Sequence, residues 1–287
     1  ITRVPRPSDP GAGALELSGV SEHNLKAIDV RIPLGQLVCV TGISGSGKST
    51  LVGDVLVNAL RQALGKPGDA PGRHDSLLGI ERLSEVVLVD QAPIGKSARS
   101  NPASYVGAWG AIRQLFCVAP LARERGYTPG TFSFNAGDGR CPVCNGSGFE
   151  HVEMQFLSDV YLRCPECDGK RFRAEVLEVR LASGHSIADV LKLTVAQAIE
   201  CFAVEKAVLA GLAPLAQVGL DYLALGQPVP TLSGGEAQRL KLAGHLAKSN
   251  ASRAGHTLLV FDEPTTGLHF EDISRLLGAF DTLLEAG

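Results

Sequence analysis

The chain has 287 residues, 45% of them hydrophobic, and 27 lysines and arginines against 30 aspartates and glutamates, a formal net charge of −3. That length has room for a buried core and about two domains, and the charge balance excludes a protein drawn to nucleic acid by global attraction, so any DNA contact has to come from a local patch or a partner segment. No run reaches about 18 apolar residues and the opening ITRVPRPSDP lacks the charged-then-apolar order of a secretion signal, which argues against a spanning helix and points to a soluble, cytoplasmic protein with no membrane partner.

Residues 1–13, rich in Pro and Gly, read as a leader or loop. LELSGV (Leu15–Val20) and AIDVRIP (Ala27–Pro33) read as short strands separated by SEHNLK. Gln36–Thr41, QLVCVT, has the β-branched apolar makeup of a buried strand and runs straight into the glycine-rich loop GISGSGKS (Gly42–Ser49). A helical pattern continues from Ser49 to about Ala63, so strand, loop and helix stand in the order a phosphate-binding motif needs. Gly65–Ser76 is punctuated by Gly and Pro and reads as an exposed connection. Val86–Asp90, VVLVD, predicts a second buried strand ending at Gln91, and Thr257–Asp262, TLLVFD, a third.

Three parallel-type runs separated by helical segments predict an α/β sheet. Helical stretches such as Tyr105–Phe116 and Val195–Val218 surround a cysteine module in the middle of the chain. The expected architecture is an α/β ATP-binding core sheet with an inserted helical domain that carries a four-cysteine zinc module. The core takes residues 1–95 and 254–287, the insertion 96–253, and the module 138–173. No internal repeat is expected.

In a glycine-rich loop, successive backbone N–H groups turn inward and cradle phosphate oxygens at a helix N-terminus, where the dipole favours negative charge. Gly42, Ser44, Gly45, Ser46, Gly47, Lys48, Ser49 and Thr50 are the candidate ATP contacts, with Lys48 reaching the β- and γ-phosphates and the Ser49 hydroxyl ligating Mg2+. A flexible glycine turn is the alternative. Asp262 and Glu263 emerge together at the carboxyl edge of the sheet, where ligands bind in open α/β folds. Asp262 is placed to hold Mg2+ and Glu263 to orient or deprotonate an attacking water, unless the pair merely caps a helix. In LSGGEAQRL (Leu232–Leu240), Ser233, Gly234 and Gly235 offer exposed N–H groups at another helix start.

Four of the seven cysteines form C-x2-C-x19-C-x2-C: Cys141, Cys144, Cys164 and Cys167. In a reducing compartment this spacing favours Zn2+ held by four thiolates, a closed structural site, over free thiols or a redox pair. The stretch between the pairs partly alternates apolar and polar residues, as a β-hairpin does, and His151 within it reads as a surface residue. Cys39, Cys117 and Cys201 lie in apolar runs and are expected in the core. Arg140, Arg163, Lys170, Arg171 and Arg173 surround the module, interrupted by Asp159, Glu166 and Asp168; a phosphate-contacting edge and a solvated surface are both open. His23 reads as a loop residue, and Trp109 and Tyr105 as packing within the helical domain.

LSGGEAQRL followed by LLVFDEPTTGLH resembles the signature and Walker B segments of the ATP-binding cassette superfamily. Within that resemblance Gln91 matches the Q-loop glutamine, a magnesium ligand near the reacting phosphate, and Thr266–His269 the D-loop. It also implies that two units pack head to tail, so that Ser233, Gly234 and Gly235 serve a different nucleotide from Lys48 and Glu263, and one copy alone turns over ATP weakly or not at all.

More narrowly, DQAPIGKSARSNPASY (Asp90–Tyr105), RGYTPGTFSFNAGDGRCPVCNGSG and HVEMQFLSDVYLRCPECDGKRF are similar to the C-terminal cassette half of the UvrA family of bacterial nucleotide excision repair. The resemblance implies a dimeric DNA-damage-recognition ATPase that surveys duplex DNA, pairs with an N-terminal ATPase half and loads UvrB. It also implies a further strand, beyond Gly287, that delivers a switch histidine. One departure stands out: FNAGDGRC puts Gly137 and Asp138 where the family carries positive charge. A UvrA-like ATPase for drug self-resistance, an ABC transporter subunit, which normally lacks a long zinc-bearing insertion between Q-loop and signature, and a chaperone-like cysteine module remain as alternatives.

Overall fold

A computed structural model describes residues 13–95, 97–152, 160–249 and 256–286, and within them the chain forms two compact units. One comprises residues up to Asp90 with Ser249–Pro264 and Leu277–Gly287; the other comprises Gln91–Lys248 and Thr265–Leu276.

In the first unit, β1 (Ala14–Val20) pairs antiparallel with β2 (Ile28–Pro33) on one side and β3 (Ser76–Leu78) on the other. The alternation of LELSGV buries Leu15 and Leu17 on one face, as a half-buried strand requires, and a register shift between Leu17 and Val20 lets Val20 join the same core. They meet Val55, Leu56, Val57 and Leu60 from the helix that follows the glycine-rich loop. This helix is wound as a π-helix over Thr50–Val57 and continues as α1 over Asn58–Ala63. Leu83 and Val86 of β4 (Leu83–Val89) close the same core. β4 runs parallel to β7 (His256–Phe261), in register from Val86 opposite Leu258 to Val89 opposite Phe261. The Phe261 ring lies 4.7 Å from that of Phe280 in α10 (Phe270–Ala286).

Two of the three expected parallel strands therefore pair. The third, Gln36–Thr41, forms no strand: Leu37, Val38 and Val40 are 41–44% exposed and Cys39 is exposed as well. A strand needs a neighbour's N–H and C=O groups and a cover for its apolar face. Among the described residues no strand supplies either to this segment, so its composition alone does not make it one. Cys117 and Cys201 are only partly buried, so none of the three single cysteines is a core residue.

The second unit is mostly helical: α2 (Pro102–Tyr105), α3 (Ala108–Cys117), α4 (Pro120–Glu124), α5 (Ala174–Leu177), α6 (Ile187–Lys192), α7 (Val195–Cys201), α8 (Lys206–Gln217) and α9 (Gly234–Ser249). Val195–Val218 is two helices rather than one, because the chain leaves α7 at Phe202 and re-enters helix at Lys206. An aromatic row runs through this unit. Phe116 stands 5.5 Å from Phe132, Trp109 5.2 Å from Phe134, and Phe134 6.4 Å from Phe172. Trp109 is thus a packing residue, as expected, while Tyr105 lies over Gly244 of α9 and stays 39% exposed. The antiparallel hairpin β5 (Phe149–Val152) and β6 (Val160–Arg163) stands between the cysteine pairs. Its tip, residues 153–159, and the leader of residues 1–12 lie outside the described residues, as does the side chain of His151.

Candidate functional site

The four cysteine sulfurs lie within 4.8 Å of one another, and the residues are 0–9% exposed. Cys141 Sγ stands 3.9 Å from Cys164 Sγ, and Cys144 Sγ 3.7 Å from Cys167 Sγ. Sulfurs at the corners of a tetrahedron around Zn2+, with Zn–S near 2.3 Å, are about 3.8 Å apart, so the donor set fits that ion with no position left open.

The two pairs are built alike. CPVCNGSGF (Cys141–Phe149) and CPECDGKRF (Cys164–Phe172) share C-P-x-C-Asn/Asp-Gly-x-x-Phe, offset by 23 residues. The chain does contain a short internal repeat, and this repeated string was the signal for it. Each copy turns through left-handed residues at matching places: Asn145 and Asp168 (φ 50° and 46°), Gly146 and Gly169 (83° and 77°), Gly148 and Arg171 (76° and 71°). The turn aims backbone N–H groups at sulfur, Gly148 N–H at Cys144 Sγ (3.3 Å) and Arg171 N–H at Cys167 Sγ (3.4 Å). The copies then lock together crosswise. Cys141 N–H donates to Arg171 O and Cys164 N–H to Gly148 O.

Burial pushes the Cys167 thiol up to about 12 and raises that of Cys141. At Cys144 burial acts the same way but is outweighed by N–H donation from Gly148 and Gly146 and by the neighbouring thiols, which hold it below the ordinary thiol range. Without a cation these sulfurs do not all ionise together; a divalent ion is what lets them.

Of the basic residues around the module, Arg163 is exposed and 3.8 Å from Asp168, and Lys170 and Arg173 are exposed. Arg140 donates to the carbonyl of Asn135, in the exposed loop that holds Gly137 and Asp138. Arg171 is 3% exposed and therefore belongs to neither a solvated surface nor a phosphate-contacting edge.

In the first unit, Lys48 Nζ donates to the carbonyls of Gly42 and Ile43, each at 2.9 Å. Asn24 Nδ2 holds Gly45 O at 2.9 Å, and His23 Nδ1 lies 3.3 Å from Thr50 Oγ1, so the SEHNLK loop braces the glycine-rich loop. Ser44, Ser46 and Ser49 stand in that same loop and helix start. Asp262 and Glu263 are exposed directly after β7, Glu263 with a φ of 43°. The parallel register puts Asp262 and Asp90 at one edge of the β4–β7 pair.

In the second unit, Ser233 caps α9 through a reciprocal pair: its N–H donates to Glu236 Oε2 (2.8 Å) and its Oγ accepts from Glu236 N–H (3.3 Å). Tyr222 OH donates to Glu236 Oε1 and accepts from Arg239 Nη2. Gln91 packs on this helix start, its Oε1 3.1 Å from where a Cβ on Gly234 would stand. Sequence reasoning did not find Tyr222, because it lies ten positions before the motif it braces.

Burial raises the Glu236 carboxyl, but donation from Ser233 and Tyr222 and the Arg239 charge outweigh it, leaving a pKa below the ordinary carboxylate value. A depressed folded value stabilises above the unfolded pKa of about 4.3 and is lost as pH falls through the folded one. Glu236→Ala is expected to cost about 1 kcal/mol at neutral pH and less in acid, the normal range for loss of a cap. Denaturant titrations at pH 7 and pH 3.5 check this; an equal cost at both pH values removes the ionised carboxylate from the account.

No family model matches the chain. UvrABC system protein A of Thermus thermophilus is 50% identical over 288 aligned positions, 99% of this chain and 30% of that protein. Its counterpart in Methanothermobacter thermautotrophicus is 50% identical over 278, covering 97% and 28%. The crystal structure of UvrA2 from Deinococcus radiodurans matches with a TM-score of 0.83 at 49% identity, over 99% of this chain and 33% of that one. The chain thus spans about a third or less of the length of these relatives. Among the described residues no helix is long and apolar enough to cross a membrane. In sequence and in fold, over nearly its whole length, this chain is similar to one segment of the UvrA proteins.

Proposed function

We propose that this chain is the C-terminal ATP-binding cassette half of a UvrA-like ATPase that recognises damaged duplex DNA and loads UvrB. The observation that carries the reading is identity near one half to UvrA proteins across 94% or more of the chain. The first unit is read as the ATP-binding core and the second as the inserted signature domain with its zinc module.

In this reading Lys48 leaves the Gly42 and Ile43 carbonyls for the phosphates, and Gly42, Ser44, Gly45, Ser46, Gly47 and Thr50 frame them with backbone and hydroxyl donors. Ser49 and Asp262 are the Mg2+ ligands of the first unit, Gln91 carries the ligand role that the resemblance to ATP-binding cassettes implies, and Glu263 takes or orients the proton of the attacking water. Ser233, Gly234 and Gly235 face a nucleotide held by the other ATPase half, and a second copy of the whole protein completes the dimer. Zn2+ on the four thiolates has a structural role, since four ligands leave no place for substrate.

One observation favours a second reading, drug self-resistance. The exposed loop Asn135–Asp138 carries an acid where a DNA-facing loop is expected to be basic, and Arg140 is the cation nearest to it in sequence. The test is binding of the full-length protein to damaged and intact duplexes at stated salt, with and without UvrB, since phosphate-driven binding falls steeply with salt. Preference for the damaged duplex that strengthens retention of UvrB is expected. Equal binding to both duplexes with no engagement of UvrB would reject general repair in favour of the second reading.

A further inference from the structure

Arg171 occupies, in the second cysteine turn, the place that Gly148 holds in the first, with the same left-handed backbone. That conformation is strained for a residue with a side chain, so the contacts of the guanidinium have to offset it. A Cβ on Gly148 would stand 3.0 Å from Arg171 Cγ, which shows where the arginine stem has gone: across the pseudo-twofold, against the other turn. The guanidinium then packs 5.2 Å from the Phe134 ring centroid, donates from Nη2 to Gly226 O at 2.9 Å, and leaves Nη1 buried without a hydrogen-bond partner. Among the described residues no carboxylate pairs with it. A buried cation with no acid beside it is costly unless another negative charge is near. The negative groups that act on it are the sulfurs of Cys144 and Cys167, and a divalent ion on four thiolates carries a net charge of −2.

Gly226 is itself fixed tightly. Its N–H donates to Leu191 O at 2.8 Å, and seven residues later the chain reaches Ser233, the cap of α9. We propose that Arg171 is a positioning residue that serves as counter-charge to the metal-bound thiolates and ties that centre to the loop entering the signature helix. One residue thus touches both ends, with its N–H on Cys167 Sγ and its Nη2 on Gly226 O. The proposal rests on the zinc reading above.

The test is hydrogen exchange with mass spectrometry on the full-length protein, zinc-loaded and then stripped by a chelator under reducing conditions. Stripping is expected to speed exchange at residues 226–232 while α6 amides in the same unit keep their protection. Arg171→Met, at saturating zinc, is expected to show the stripped pattern at 226–232 with the metal still bound, and a zinc affinity lower by roughly 10–100-fold. Cobalt substitution adds a readout that packing alone does not move: the thiolate-to-cobalt absorption shifts in Arg171→Met and is restored in Arg171→Lys. Unchanged exchange at 226–232 on stripping, or a loss of protection spread evenly over the unit, overturns the tie. That arm uses the unaltered protein and decides even where Arg171→Met does not fold. Failure to bind zinc or cobalt at all instead overturns the metal reading, and the proposal with it.

Discussion

A protein in which Cys164 is replaced by serine is expected to purify without its zinc and with a second unit that melts well below the unaltered one. The sulfur of Cys164 is fully buried, 3.9 Å from that of Cys141, and a serine oxygen at that place is shorter-reaching and does not ionise. Sharing the about 10–16 kcal/mol apparent for a structural zinc among four thiolates gives about 2.5–4 kcal/mol each, roughly 10²–10³-fold in affinity. The local structure has little else to stand on. Two strands of four residues do not hold a hairpin in water, and beside the module the rings of Phe134 and Phe172 stand 6.4 Å apart. Metal analysis should find one zinc per copy of this segment in the unaltered protein, none in Cys164→Ser, and one in the control Cys117→Ser. Acid should release the ion as protons compete for the thiolates. Retention of the full zinc content by Cys164→Ser would remove the four-sulfur centre as the binding site.

The parts of this molecule that were legible in its sequence are those whose chemistry is local. The cysteine spacing, the hairpin between the pairs and the start of α9 follow from residues within a few positions of each other, and the structure places them as expected. β1 and β2 follow from alternation. What failed depends on neighbours distant in sequence. Gln36–Thr41 has strand composition, yet composition does not supply a pairing partner, and its valines and leucine remain exposed. Arg171 looked like one more surface cation in a basic cluster. Its burial is decided by Gly226, 55 residues away, and by Phe134. The knuckle repeat was readable all along, since CPVCNGSGF and CPECDGKRF align without a gap.

Glu263→Gln, in the full-length protein, is expected to lower ATP hydrolysis by roughly 10²–10⁴-fold while leaving nucleotide affinity near its original value. The amide is nearly the same size and still accepts a hydrogen bond, so it occupies the place of the carboxylate without taking a proton. Lys48→Ala should separate differently. Its ammonium now satisfies two loop carbonyls at 2.9 Å, and in the bound state it would satisfy phosphate oxygens instead. A hydrogen bond to a charged group contributes about 1.5–3 kcal/mol, so affinity at this site should fall by roughly 10–150-fold. Titration with a fluorescent ATP analogue and single-turnover hydrolysis distinguish the two changes. Full turnover in Glu263→Gln would reduce Glu263 to a turn residue with an unusual backbone angle, and unchanged affinity in Lys48→Ala would leave GISGSGKS as a glycine turn. Because the two variants act on different steps, a binding defect in one and a chemical defect in the other is a pattern that general loss of folding does not produce.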